Sequence, residues 1–333
     1  MRETSRQWKR RGLCVTLALG GLAALLAANA GAADRARPFQ IGALTESWGP
    51  TPQVVGLRDG LLALGYREPE QFVIGVRFTQ GDITALPAAA RDLVQLGADL
   101  IFTVAANATK AVQMATQQIP IVFSGAVDPL GAGLIQSFAR PGGNITGVTD
   151  LSLELGPKRL QVFQELIPGL KRVLFPYAAA DAYAVKEARV YHDAARSLGI
   201  ELGERAVRSE AEARTILAQV QPGEVDGILK PQTLSLNIPG FILETTMQRG
   251  LPSMFDAAFW VEQGGLASYG PDFYETGRQA ARLVDKIIKG ANPGEIPVEV
   301  NPKIEFAINL KTAAALGLTI APQVLYQANR LIR

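Results

Sequence analysis

The sequence predicts an α/β protein of two doubly wound parallel-sheet lobes joined by a hinge. Three observations carry this. Short apolar runs rich in β-branched residues alternate with longer helical patterns. The rhythm breaks between Ser137 and Asp150 and then restarts. The chain has 333 residues, 48% of them hydrophobic, which suits two cores of ordinary size.

Each element follows from its pattern. Phe39–Leu44 reads as a strand and Pro52–Leu64 as a helix closed by Gly65. Phe72–Phe78 alternates as a strand should, and Ala85–Leu96 is helical up to Gly97. Asp99–Val104, apolar over Leu100–Phe102 and at Val104, reads as a strand buried on both faces of a parallel sheet. Ala108–Gln118 is helical and Ile119–Phe123 is another buried strand. Pro141-Gly142-Gly143 then punctuates the chain. The second block runs through helix Lys158–Ile167, strand Arg172–Phe175, helix Asp181–Leu198 and strand Glu201–Val207. It continues with helix Glu210–Val220, strand Val225–Leu229, helix Ile238–Arg249 and strand Pro252–Phe255. In the tail, Leu266–Tyr269 is a short strand, Phe273–Lys289 a long amphipathic helix and Ile296–Ile308 extended. Lys311–Leu316 and Gln323–Ile332 are expected as short helices. Such a tail can return to the first block and cross back, leaving a cleft between the lobes.

Charge and cysteine content narrow the function. The formal net charge is +2, from 33 basic and 31 acidic residues. Arg2, Arg6, Lys9, Arg10 and Arg11 lie in the first thirty residues with Glu3 alone against them; removing this stretch leaves 28 basic and 30 acidic residues. No basic surface for nucleic acid is expected. A basic start, the apolar run Leu13–Ala28 and the small-x-small site Ala28-Asn29-Ala30 predict a signal peptide over residues 1–30 and a periplasmic product, the alternative being an uncleaved membrane anchor. Cys14, the only cysteine, would leave with it, so disulfides and thiolate metal sites are not expected.

One set of fragments is more specific. It comprises Gly264–Gly270, Gly277-Arg-Gln-Ala-Ala281, Val284–Gly290, Ile296–Glu299, Phe306–Ala313, Ala315–Ile320 and Pro322, preceded by Ile119–Phe123, Asp128-Pro129 and Arg140–Val148. In this order they resemble the ABC-transporter substrate-binding proteins that include tryptophan- and tyrosine-binding members. The resemblance covers the whole mature chain. It implies a type I periplasmic-binding-protein fold with three crossovers, near Val148, Leu266 and Val298. The lobes would be 38–147 with 267–297, and 148–266 with 298–333. It also implies a small-molecule ligand, an ABC permease partner in the inner membrane, no cofactor and no catalysis. A monomer is expected.

Ligands of parallel α/β sheets sit beyond the carboxyl ends of the strands and at domain interfaces. That rule selects Ser47, Trp48, Ala106, Asn107, Thr109 and Asp128 in the first block, and Tyr177, Asp181, Gln232 and Asp256 in the second. Small residues before a helix, as at 105–109, leave N–H groups open to a carboxylate, unless Asn107 simply caps the helix. Ser47 would add a hydroxyl and Trp48 an apolar wall or a packed edge. Asp256 would meet a ligand ammonium or serve as a cap, and Glu46 would be a second cation partner or solvated. Asp181 suits the N-cap of its helix and Asp128 a turn before Pro129. Tyr177 would line the cleft or stand exposed on its loop. The expected ligand is a small carboxylate, such as an amino acid with an apolar or aromatic side chain.

Enzyme patterns are weak. His192, the only histidine, lies mid-helix, and no Gly-x-Ser-x-Gly elbow or phosphate-binding Gly-x4-Gly-Lys loop is present. Gly131-Ala-Gly133 lacks the third glycine of a dinucleotide fingerprint, which falls on Gln136. Two other roles fit this fold: a sensor that docks on a membrane receptor, and an envelope hydrolase built on paired carboxylates, although no spacing picks out a pair.

Overall fold

The computed structural model describes residues 37–221 and 223–333. The expected signal peptide at 1–30 lies outside them. Residues 38–333 form one compact unit built on two sheets.

The first lobe holds β1 (Phe39–Thr45), β2 (Phe72–Phe78), β3 (Leu100–Val104), β4 (Ile121–Ser124), β5 (Ile145–Asp150) and β11 (Glu299–Asn301), in the order β11-β5-β4-β3-β1-β2, all parallel. Its helices are α1 (Pro52–Ala63), α2 (Leu86–Gln95), α3 (Ala106–Ala115) and α9 (Phe273–Ile288). In β3, Leu100, Phe102 and Val104 face one core cluster while Ile101 faces the other. Both faces of the sheet are covered, which is why this strand is apolar at successive positions.

The second lobe holds β6 (Arg172–Ala178), β7 (Glu201–Val207), β8 (Gly227–Leu229), β9 (Ser253–Phe255), β10 (Ala267–Pro271), β12 (Ile304–Asn309) and β13 (Arg330–Ile332), in the order β13-β12-β10-β9-β8-β6-β7. All its pairs are parallel except β10 with β12. Around it lie α4 (Gly156–Leu166), α5 (Ala182–Leu198), α6 (Glu210–Gln219), α7 (Ile238–Arg249), α8 (Ala258–Glu262), α10 (Leu310–Ala315) and α11 (Pro322–Gln327). Among the described residues no helix is long and apolar enough to cross a membrane.

The chain changes sheets after β5, after β10 and after β11. The boundaries read from the sequence differ. Val148 lies inside β5, paired with Ser124 and Glu299 of the first sheet. Residues 267–271 belong to the second sheet, because Ala267 and Ser268 pair with Met254 and Phe255. Glu299–Asn301 still belongs to the first, paired with Val148–Asp150. Backbone partners far away in sequence set these limits.

Three other local expectations change. Ile145–Asp150, within the segment read as a break in the rhythm, is a fully buried strand. Gln323–Ile332 is a short helix followed by a strand: Arg330–Ile332 pairs with Ala307–Asn309 and takes the sheet edge, against its helical pattern. The helix expected from Ala108 begins at Ala106, directly after Ala105, whose backbone sits at φ 72° and ψ 167°.

One helix pair ties the hinge to the first lobe. Asp272 caps α9 immediately after the second crossover, accepting from the Glu275 N–H. From there α9 packs against α1 through glycines. A Cβ at Gly277 would stand 2.0 Å from the Gln53 carbonyl oxygen, and one at Gly56 2.0 Å from that of Tyr274. No side chain fits in this contact, so Gly277→Ala must push the helices apart. It is expected to cost about 2–4 kcal/mol, readable as a fall in the denaturant midpoint with an unchanged slope.

Candidate binding cleft

The strand carboxyl ends of both sheets meet at a cavity of about 450 Å³. From the first lobe come Glu46, Ser47 and Trp48 after β1, Ala106 and Asn107 at the start of α3, and Asp128 after β4. From the second come Asp181, Tyr183, Lys230, Gln232, Asp256, Phe259 and Trp260. The lobes are closed upon each other. Lys186 pairs with Asp128 at 2.7 Å, the Asn107 side-chain amide donates to Asp181 at 3.3 Å, and the Leu236 N–H donates to the Gly81 carbonyl at 3.1 Å. Trp48 meets Trp260 edge to face at 6.4 Å between ring centroids.

Eight of the ten residues selected from sequence line this cavity: Ser47, Trp48, Ala106, Asn107, Asp128, Asp181, Gln232 and Asp256. Thr109 and Tyr177 do not. The Thr109 hydroxyl donates to the Ala105 carbonyl at 2.7 Å and sits 2.8 Å from the Thr103 hydroxyl, inside the first lobe. Tyr177 stacks on Phe175 at 5.8 Å against the second-lobe core. Alternation along β6 decides this: Phe175 and Tyr177 share the face that packs inward. His192 lies elsewhere, exposed and 2.7 Å from Glu204.

Three aromatic residues escaped the sequence reading. Trp260 and Phe259 stand on α8, a five-residue helix with no clear periodic signal. Trp260 is sandwiched by packing, stacked on Phe255 at 5.9 Å and edge-on to Phe259 at 5.3 Å. Tyr183 hydrogen-bonds the Gln232 side chain. The signal that existed was Phe259-Trp260 following a strand end by four residues.

The start of α3 is open. Ala105 has no side-chain cap to offer, and Asn107 turns its amide across the cleft instead of capping. The Ala105 conformation costs of order 1–3 kcal/mol for a non-glycine residue, a strain that clusters at functional sites. It is held by the Ala105 N–H donating to Ser124 at 2.9 Å. The result directs the first N–H groups of a ten-residue helix, and its positive dipole end, at the cavity.

Charges in the cleft are mostly matched. Asp256 and Lys230, both buried, pair at 2.8 Å, and Lys230 also donates to the Gln232 carbonyl at 3.0 Å. Burial nonetheless pushes the Lys230 ammonium below its ordinary range. Asp181 accepts from the Tyr183 and Ala184 N–H groups as cap of α5, and from the Ser235 hydroxyl at 2.9 Å. Asp128 accepts from the Gly131 N–H at 2.9 Å as well as from Lys186, and both hold its carboxyl below the usual range. Glu46 is different. It is 2% exposed and its Oε1 has no hydrogen-bond partner. Burial, reinforced by the Asp181 charge and only partly offset by the Asn107 amide, raises its pKa from 4.5 to about 8.

A model for ABC transporter substrate binding proteins matches residues 44–332. The chain belongs to this family. A tyrosine-binding protein of Clostridioides difficile (strain R20291) is 26% identical over 256 residues, 76% of this chain and 73% of the relative. Among solved structures, a conserved domain protein of Vibrio cholerae is 29% identical with a TM-score of 0.76, covering 89% of this chain and 100% of that one. An ABC domain from Streptococcus pneumonia, in complex with L-Trp, is 26% identical with a TM-score of 0.75, over the same shares of the two chains. Its fold, two parallel-rich α/β lobes, is that of the type I periplasmic binding proteins. Substrate-binding proteins of this family capture small molecules and do not catalyse.

The Glu46 environment has a measurable consequence. Because folding raises this pKa, the folded state holds the proton more tightly than the unfolded chain. The stability this confers is complete below about pH 4.5 and is lost as pH rises through about 8. Glu187, raised to about 7 by burial, and Asp150, raised to about 6 by burial, act in the same direction. The melting temperature of the ligand-free protein is therefore expected to fall between about pH 5 and pH 8. The melting temperature of Glu46→Gln should fall less, and at pH 8 this variant should be more stable than the wild type by about 1–3 kcal/mol. Thermal melts of both proteins across that range check this.

Proposed function

We propose that this protein is the solute-binding component of an ABC-type importer and that it takes an amino acid with an aromatic side chain into the cleft. The observation that carries this is the uncapped start of α3, whose N–H groups face a cavity walled by Trp48, Tyr183, Phe259 and Trp260. The N–H groups suit the ligand's carboxylate. The rings suit a planar apolar side chain, since aromatic pairs in offset or edge-to-face contact add about 0.5–1.5 kcal/mol beyond burial. The tyrosine- and tryptophan-binding relatives support the same ligand class.

The basic and apolar start of the sequence supports export, with residues 1–30 removed and the mature chain working in the periplasm. Ligand-bound closure of the lobes then presents one surface to an inner-membrane permease, and the protein acts as a monomer. Ser47, Gln232 and Asn107 supply polar contacts at the cleft walls.

Thermal melts of ligand-stripped protein against amino acids, sugars and nucleosides test this. L-tryptophan or L-tyrosine at a hundredfold its dissociation constant should stabilise the fold by roughly 2.7 kcal/mol, a shift of a few degrees. A response confined to sugars or nucleosides would overturn the proposal. Ala106→Pro probes the carboxylate site. It removes one N–H at the first helical position, where proline is tolerated. The expected result is a roughly tenfold weaker dissociation constant with a nearly unchanged melting temperature.

A further inference from the structure

Four of the six charged side chains lining the cavity are matched in pairs: Asp128 with Lys186, and Asp256 with Lys230. Two carboxylates from opposite lobes remain, Glu46 after β1 and Asp181 before α5. They are unlike each other. Asp181 is saturated by the Tyr183 and Ala184 N–H groups, the Ser235 hydroxyl and the Asn107 amide. Glu46, buried beside it, has an oxygen with no donor at all. Leaving a buried carboxyl oxygen without a donor is unfavourable, and Glu46 lines the cavity where the ligand is to sit. Asp256, the acid that strand position alone selects for an ammonium, already holds a buried cation at 2.8 Å. A second cation there would repel the first.

We infer that Glu46 is the acceptor for the ligand's ammonium group, that Asp181 of the opposite lobe adds the charge completing the cage, and that ammonium capture expels a proton from Glu46 to solvent. The inference rests on the amino-acid reading above. The proton balance is simple. In the closed cleft without a ligand, the Glu46 carboxyl carries a proton, because burial and the neighbouring Asp181 charge disfavour a second anion. The ammonium supplies the compensating charge, the carboxyl ionises, and its proton passes to the buffer. No bond within the ligand changes.

The groups facing Glu46 support this assignment. Asp181 faces it from the α5 side, and from α3 comes the neutral Asn107 amide. On the segment after β2, the Gly81 N–H donates to the Glu46 carbonyl at 2.6 Å, while the nearby Asp82 is exposed and bonded to Thr84. Lys186 and Lys230, the cations of the cavity wall, are held by Asp128 and Asp256. The cage also favours closure, since one ligand cation attracts a carboxylate from each lobe. Ligands without an ammonium leave Glu46 protonated and the cage unbridged.

Isothermal titration calorimetry with L-tryptophan and L-tyrosine at pH 7, in two buffers of different ionisation enthalpy, tests this. The wild type should release nearly one proton per ligand, because a group titrating at about 8 is roughly nine-tenths protonated at pH 7. Affinity should rise up to tenfold from pH 6 to pH 7, where the ligand's amino group stays charged. Glu46→Gln should bind at least tenfold more weakly and release no proton. Indole-3-propionate, which lacks the amino group, should bind the wild type with the same heat in both buffers, a control that needs no variant. Buffer-independent heats with L-tryptophan, or unchanged affinity in Glu46→Gln, would overturn the assignment while leaving the solute-binding reading intact. Binding of neither amino acid would defeat both.

Discussion

Parallel pairing is the constraint on which this molecule's cleft depends. A parallel strand cannot be joined to its neighbour by a tight turn, so every crossover helix leaves a loop at the same edge of the sheet. Each lobe therefore gathers its loops at the carboxyl ends of its strands. The crossovers after β5, β10 and β11 turn those two edges toward each other. Glu46, Ala106, Asp128, Asp181, Gln232 and Asp256 are far apart in sequence, and one edge rule brings them to a single cavity.

Behind the cleft lies a buried polar layer. Arg159 is fully buried; it donates to the Tyr269 carbonyl and the Tyr191 hydroxyl and lies 3.9 Å from Glu187. Glu187 in turn accepts from the Gln232 N–H at 2.9 Å, and Lys230 bridges Asp256 and the Gln232 carbonyl. Tyr269 belongs to β10, just before the second crossover, so this layer runs from the hinge to the cleft wall. Burying charges is costly unless they are paired and hydrogen-bonded. The layer gives the 230–232 backbone one defined position, which fixes where Gln232 and Tyr183 can stand. On the first-lobe side the α1–α9 glycine contact does the equivalent work, because it locks the helix that begins beside Gln53 to the one that leaves the hinge.

Closure and charge are coupled in this geometry. The inter-lobe pairs at Asp128–Lys186 and Asn107–Asp181 lie at the rim and wall of the cavity, while Glu46 and Asp181 face each other within it. A neutral Glu46 tolerates the approach of Asp181, and so does a charged one with a cation between them.

Much of this was legible in the sequence. The fold class followed from the alternation of apolar runs with helical patterns, and eight cleft residues followed from strand ends alone. These features are local: period, turn residues and position after a strand are written in neighbouring residues. Position after a strand also selected Thr109 and Tyr177, which the pleat and helix faces turn inward. Tertiary structure decided the rest. Only pairing with Ala307–Asn309 makes Arg330–Ile332 a strand, and only the register with Met254 and Phe255 assigns Ala267–Ser268 to the second sheet. Whether Asp256 or Glu46 has room for a cation depended on where Lys230 sits, and that depended on packing 26 residues away. The sequence by itself determined which residue types reach the cleft; the folded chain decided which of them are already satisfied, because hydrogen bonds and ion pairs form across distances in space that no local pattern encodes.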